Sequence, residues 1–431
     1  MKKVIYVGVL GLGTVGSGVV HILENHQKKI SLDTGYEVRV KSVAVRDLEK
    51  ERDVSISGIA ITNDADEILN DPDIDIVVEV MGGIQEAKQS IVKALNNKKH
   101  VVTANKDLMA SYGAELLQLA HEQECDLYYE ASVAGGIPIL RGLVDGLASD
   151  HIEKIMGIVN GTTNYILTKM SQNGWSYDQA LQEAQKLGFA ESDPSADVDG
   201  LDAARKVAIL ANLGFSMNVS LSDVHVQGIR DVEKEDLEMA KKLGFTMKLV
   251  GKAEQHDSSI HLNVAPTLLP DHHPLSSVNN EFNAVYVHGH AVGEVMFYGP
   301  GAGKLPTGSA VVSDIISIVK NMKLDVKGHG MLKEPQPYML KGDREIVSKY
   351  FLRILLKDEP GMFQKITECF VNHSISLEEI IQLPLNQELA EIVLVTHQTS
   401  KYQFEQTLAS LESVASEIKS YYCIEEEKEY V

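Results

Sequence analysis

The sequence predicts an α/β protein: a parallel sheet covered on both faces by helices, then an α+β domain, then a small C-terminal βαββαβ module. Three observations carry this. Over the first 130 residues, short and almost continuously apolar runs alternate with helical spacings, as buried parallel strands and their crossovers do. After residue 131 the strand-like runs lengthen and alternate in polarity, the mark of antiparallel strands. From Tyr350 to Cys423 the order becomes strand, D-E-P-G turn, helix, strand, strand, helix, strand, a ferredoxin-like arrangement.

In the first part, Val4 to Leu10 is a continuous apolar run that ends in glycines at 11, 13 and 16, and Val15, Val19, Ile22 and Leu23 then share a helical face. Further strands are expected at 38–45, 59–62 and 74–80, then in "HVVTANK" and "DLYYEA", with helices over 85–99 and 114–124 between them. The second part holds "KIMGIVNGTT", "FTMKLVGKAEQ", "SIHLNVAPTLL" and "AVYVHGHAVGEVMFYG". Prolines, glycines and charges in "GMLKEPQPYMLKGDREI" mark a linker before the last module. The expected division is 1–130, 131–330, a linker over 331–346, a module over 347–425 and an acidic tail over 426–431.

A chain of 431 residues exceeds one ordinary core. Its net charge of −21 repels phosphate, which argues against nucleic acid or an anionic membrane as a partner. No apolar stretch approaches the ~20 residues of a membrane span. Cys125, Cys369 and Cys423 are scattered, with no spacing for zinc or a disulfide framework, so a reducing cytoplasmic setting is expected.

"GLGTVG" follows a strand and opens a helix, the setting of a Rossmann-type dinucleotide fingerprint: Gly11 allows the turn, Gly13 lets backbone approach a pyrophosphate, and Gly16 lets helix and sheet pack closely. Leu12, Thr14 and Val15 complete the phosphate-facing loop, whose helix end carries positive partial charge. At the tip of the second strand stands Arg46, then Asp47. An arginine there can pair with a 2′-phosphate, which favours NADP, and the aspartate leaves NAD open. "TANK" places Thr103 and Lys106 at the carboxyl end of a strand, where open α/β sheets bind ligands.

"GFAESDPSADVDGLDAARKVAILA" is rich in acids, then turns helical near Gly200. Asp202 and Lys206 are four apart and share a face. Beyond Lys206 the helix is apolar all round, hence buried, and a lysine at its mouth beside a carboxylate is a candidate acid/base or a plain surface pair. "YYEASVAGGIPIL" sets Glu130 before a bend of small residues whose carbonyls could close on a cation, on a ligand or on nothing. The adjacent histidines of "DHHPL" read as a loop, and His288 and His290 as satisfied strand residues on one face.

Together "GLGTVG", "VTANK", "YEASVAGGIPI", "GIVNGTTNYILTKM", "GFAESDPSADVDGLDAARK" and "YGPGAGKLPTGSAVVSDI" resemble, in order, the homoserine dehydrogenases in their monofunctional form with a C-terminal ACT domain. The resemblance implies NAD(P)H-dependent, reversible reduction of L-aspartate 4-semialdehyde to L-homoserine in threonine, methionine and isoleucine biosynthesis. It implies Lys206 as the acid that protonates the aldehyde oxygen, oriented by Asp202 and assisted by Lys106. Glu191 and Asp197 would hold the substrate ammonium, and Gly161 and Thr162 its carboxylate. Gly303 would return beside the cofactor with the segment 304–323, completing the first domain. A sodium ion is implied at Glu130 and the carbonyls of Val133, Gly135 and Ile137, hard oxygens suited to a hard cation.

The middle domain is then expected to bind substrate and to dimerise, and the last to bind an effector, threonine being favoured, at the turn of Asp358, Pro360 and Gly361. A homodimer or homotetramer follows. The rivals are a non-catalytic amino-acid sensor that keeps the nucleotide fold and an oxidoreductase for a related aldehyde; a sensor has no need of Lys106, Asp202 and Lys206 together.

Overall fold

A computed structural model describes residues 4–52, 54–326, 328, 334–386 and 388–426. Residues 331–333 of the expected linker and 427–431 of the expected acidic tail lie outside the described residues. The chain divides into two compact units, Met1–Ile155 with Ala204–Val224 and Phe282–Pro337, and Met156–Ala203 with His225–Glu281 and Tyr338–Val431.

The first unit opens with β1 (Val4–Leu10), α1 (Thr14–Asn25), α2 (Gln27–Thr34), β2 (Glu37–Ala44), β3 (Ala60–Thr62), α3 (Ala65–Leu69), β4 (Ile74–Glu79), α4 (Gln85–Asn96), β5 (His100–Thr103), α5 (Lys106–Glu122) and β6 (Leu127–Tyr128). Its strands pair in parallel in the order β3-β2-β1-β4-β5-β6. Strand order reverses between β1 and β4, so the crevice at their carboxyl ends is where such a sheet takes a ligand. Val7, Val9, Val40, Ile76 and Val102 bury the sheet against Val19, Val20 and Leu23 of α1. The helix Lys304–Leu324 adds Val311, Ile315 and Ile318 to the same core. A Cβ on Gly18 would stand 2.0 Å from the carbonyl oxygen of Lys304, so bare backbone lets the two helices touch.

Two expectations for this first unit need correction. The helix after β5 begins at Lys106, well before Ala114, because the Asn105 side chain accepts from the Leu108 amide (3.1 Å) and caps it there. Glu130 does not end a strand: β6 stops at Tyr128, and Glu130–Ser132 is a 3-10 turn.

The second unit holds the helices Gly161–Asn173, Tyr177–Lys186 and Ser195–Val198, and the antiparallel pair Phe245–His256 and Ser259–Pro270. Its C-terminal part is βαββαβ, with strands in the order Glu417–Ile424, Val347–Lys357, Leu389–Thr396, Leu377–Pro384, all antiparallel. The helices Met362–Asn372 and Lys401–Leu411 cover it, burying Ile366, Phe370, Phe404 and Leu411 against Leu352, Ile354 and Leu394.

The sheet of the middle part is mixed, where an antiparallel one was expected: Asn263 and Val264 pair in parallel with His225 and Val226, and Thr267 and Leu268 pair in parallel with Cys423 and Ile424. This seam joins the C-terminal module to the preceding strands. Beside it lies Arg353, 2% exposed, with Asp236 at 3.0 Å, Glu391 at 3.2 Å and Glu233 also in contact. Tyr422 (2.8 Å) and Ser420 donate hydroxyl protons to Asp236, which is itself fully buried.

Candidate active site

In the first unit the glycine turn closes as the fingerprint requires. Gly11 has φ of +102°, and a Cβ there would lie 2.6 Å from the Val80 carbonyl oxygen; one on Gly16 would lie 2.1 Å from the Gly11 carbonyl. Nothing stands within 4 Å of a Cβ on Gly13, so that side of the turn is open to a phosphate. A cleft of about 610 Å³ runs from Gly11, Leu12 and Gly13 past Arg46 and Asp47 to Lys50, Arg52 and Asn63. Thr14, exposed, and Val15, half-buried, continue from the turn into α1. Arg46 is exposed and pairs with Glu86 at 3.0 Å. Arg52 folds back onto the carbonyls of Asp47 and Lys50, which keeps a second cation in the cleft.

Sequence reading missed Glu79, at the end of β4. It is fully buried, accepts from the Thr103 hydroxyl (2.7 Å) and from the Met81 amide (2.8 Å), and its carboxyl is pushed up by burial, against those hydrogen bonds. Asn105 donates to the Gly83 carbonyl at 2.6 Å. These contacts tie the ends of β4 and β5 together and set where α5, and so Lys106, begins. A carboxylate ending an apolar strand, as in "IDIVVEV", was the available signal.

Lys106 opens α5, and Lys206 sits in the helix Leu201–Gly214; both are half-buried. Their neighbours join the two helices, because Arg205 pairs with Asp107 at 2.8 Å. After Lys206, Val207 to Ala211 are all buried, as the apolar run predicts. Gly303, with φ of +128°, precedes the helix whose first turn meets Gly18 of α1.

In the second unit Asn160 is the organising residue, also missed. Its amide donates to Asp197 (2.7 Å) and Asp202 (2.9 Å), and its carbonyl oxygen caps the next helix through the Thr163 amide (2.9 Å). Two of the expected acids are thereby drawn to one side chain. Gly161 and Thr162 form the first turn of that helix, where amides have no intrahelical acceptor. The Thr162 hydroxyl donates to the Phe189 carbonyl at 2.6 Å. Glu191 is exposed, with its carbonyl accepting from Gln185.

Lys248, fully buried, reaches the same helix at Asn164 (3.2 Å), along with the Val278 carbonyl (2.5 Å) and Asn279 (3.3 Å). Burial pulls its ammonium down to about 8. The folded pKa lies below the unfolded value, so between about 8 and ~10.4 the unfolded chain binds the extra proton and stability rises with pH. Melting curves across that window should show wild type gaining up to ~1.4 kcal/mol per pH unit more than Lys248→Met. Parallel curves for the two proteins would reject the assignment.

The Glu130 carboxylate accepts from the amides of Leu140 (2.8 Å) and Arg141 (2.9 Å), with the Arg141 guanidinium alongside at 3.4 Å. Ala134 and Gly135 follow in left-handed conformation, φ of 54° and 52°. Val133 is buried, and the Ile137 carbonyl accepts from Ile139 at 2.8 Å. His288 and His290 flank one carboxylate, Glu153, at 3.4 and 3.2 Å, and His273 accepts from the Leu275 amide. Among the described residues no cluster of three or more His, Cys, Asp or Glu could hold a metal. None of their helices is long and apolar enough to cross a membrane.

A Rossmann-type sheet with its glycine turn defines a dinucleotide-binding protein, here an NAD(P)-dependent oxidoreductase. Residues 11–130 match the homoserine dehydrogenase NAD-binding domain, and residues 138–316 the homoserine dehydrogenase domain. The homoserine dehydrogenase of Bacillus subtilis strain 168 is 56% identical over 98% of this chain and 99% of its own. The crystal structure of a homoserine dehydrogenase from Thiobacillus denitrificans superposes with a TM-score of 0.92, at 36% identity over 98% of both chains. A hyperthermophilic archaeal homoserine dehydrogenase solved in complex with NADPH gives 0.61, at 28% identity over 75% of this chain and 98% of that one. The chain belongs to the homoserine dehydrogenase family. It reduces aspartate semialdehyde to homoserine with a nicotinamide nucleotide, a step of amino-acid biosynthesis.

Proposed function

We propose that Lys206 is the acid of this reduction. When bound, the nicotinamide nucleotide supplies a hydride to the aldehyde carbon. The carbonyl electron pair moves to oxygen, and the Lys206 ammonium gives that oxygen its proton. Lys106 steadies the same oxygen, and Asp202 holds Lys206 in line. The observation that carries this reading is the Arg205–Asp107 pair, which sets neighbours of both lysines 2.8 Å apart. Glu191 and Asp197 take the substrate ammonium, while the first-turn amides of Gly161 and Thr162 take its carboxylate. The division at 1–130 with 304–323, 131–330, 331–346 and 347–425 follows these roles, in a cytoplasmic homodimer or homotetramer.

NADP is the favoured nucleotide. Arg46, Lys50 and Arg52 gather three cations in the cleft that begins at the glycine turn, enough to hold a 2′-phosphate, and the archaeal relative was solved with NADPH. Arg46→Ala should lower kcat/KM for NADPH roughly tenfold to hundredfold, the loss of a charged hydrogen bond of about 1.5–3 kcal/mol. The rate with NADH should barely move. An equal fall with both nucleotides would show that Arg46 does not read the phosphate.

A sodium ion suits the oxygen-only donors at Glu130, Val133, Gly135 and Ile137, and would tie the bend without touching substrate. Arg141 lies beside two fully buried acids, Glu130 at 3.4 Å and Asp314 at 3.8 Å, so an ion there would add a second positive charge to that group. Melting in sodium chloride against choline chloride tests it, equal Tm values counting against the ion. The ferredoxin-like module is read as an ACT domain that binds threonine at Asp358, Pro360 and Gly361, where Gly361 turns in left-handed conformation into the helix Met362–Asn372. Titrating threonine into the full-length enzyme, and into Gly361→Val, decides whether the turn takes an effector. Truncation is a poor test, because it would bare the strand edge at Thr267 and Leu268.

A further inference from the structure

Within the first unit a cavity of about 220 Å³ lies between α5 and the helix Leu201–Gly214. Its walls include Met109 and Gly113 from α5, Ile209 and Leu213 from the other helix, and Tyr129. The spacing is the same on both helices: each contributes the residues three and seven positions after its lysine, Lys106 or Lys206. Residues so spaced lie on one helical face, so the cavity runs along the faces that begin at the two lysines.

Gly113 is the reason there is space. Glycine weakens a helix interior, so a helical glycine needs a reason. Backbone conformation does not supply one, because Gly113 is not among the residues of positive φ. Close packing does not supply one either: a Cβ there would meet only the mobile methyl end of Met109, at 3.3 Å. What the glycine leaves is the open volume. Among the described residues no charged side chain lines the cavity; its polar side chains are the amides of Gln118, Asn212 and Asn218 and the Tyr129 phenol, with Asn212 held by the Val219 backbone and Gln118 exposed. An amino acid would place an ammonium and a carboxylate there with no charged partner among the described residues, which disfavours the zwitterionic metabolites of this enzyme's own reaction.

We propose that this cavity binds a neutral, largely apolar small molecule of about the size of indole, wedged between the helices that carry Lys106 and Lys206. Occupancy shifts the spacing of those helices and is read in turnover, a coupling that rests on the catalytic roles given above. Indole is the probe. It should raise the Tm of the full-length enzyme by roughly 1–2 °C at a few multiples of its Kd, growing with the logarithm of concentration. It should also change kcat without changing the affinity for NADPH.

Gly113→Leu fills the space and should abolish both effects. Gly113→Ala, a better helix former that needs only Met109 to yield, should melt higher than wild type without ligand and show a smaller indole shift. No shift in wild type, or an equal shift in Gly113→Leu, overturns the site. A shift that Gly113→Leu abolishes, with kcat unmoved, overturns the coupling and leaves the site. If Lys206→Ala keeps full activity the catalytic reading fails, and the indole shift still reports on the cavity.

Discussion

Lys206→Ala should lower kcat roughly 10²–10⁴-fold, the usual worth of a positioned general acid, while NADPH binding measured by fluorescence stays within a factor of about two. The separation follows from where the residue sits. Lys206 lies on the helix Leu201–Gly214, whereas the phosphates meet the turn between β1 and α1. Removing an acid that acts only as the oxygen gains charge leaves ground-state binding intact. Lys206→Arg should recover little, since a guanidinium holds its proton at any pH the enzyme meets. Full turnover in Lys206→Ala would move the acid elsewhere, Lys106 being the next residue to change.

Arg353→Ala should destabilise the second unit by about 3–5 kcal/mol, because it strips the buried Asp236 of its cation. The effect exceeds that of a surface pair, typically ~0–1 kcal/mol, since Arg353 is 2% exposed and Asp236 fully buried. Chemical denaturation measures it. Arg353→Met combined with Asp236→Leu should regain much of the loss, as an apolar pair of similar volume often does. A loss below ~1 kcal/mol in Arg353→Ala would mean that water reaches Asp236 and that Tyr422 and Ser420 suffice to hold it. Such a result would make the parallel seam at Thr267 and Leu268 the main bond between the module and the strands before it.

Much of the chemistry was legible because it is local. The spacing of Gly11, Gly13 and Gly16 states a backbone constraint that any reader of the sequence can check, and the would-be Cβ contacts of 2.6 and 2.1 Å at Gly11 and Gly16 are its tertiary form. The buried run after Lys206 is equally a property of one helix. Asn160 stood in plain view in "NGTTN", next to residues already singled out, but its worth lies in reaching Asp197 and Asp202, which no local pattern encodes. Glu79 was passed over for a like reason. A carboxylate at a strand end reads as surface until Thr103 and Met81 are seen to surround it.

The sequence by itself determined the parallel sheet, the nucleotide turn and the βαββαβ order of the last module, which rest on periodicity and spacing within a few tens of residues; the family came from the resemblance of whole motifs, from "GLGTVG" to "YGPGAGKLPTGSAVVSDI". Only the tertiary structure decided that α5 starts at Lys106, that Arg205 meets Asp107, that Arg353 is locked beneath Asp236, and that Gly113 opens a cavity. Apart from the local Asn105 cap at the start of α5, these join groups far apart along the chain. Pairing over such distances is set by how whole elements pack, a global minimum of buried area and satisfied polar groups, and single-residue patterns do not contain it.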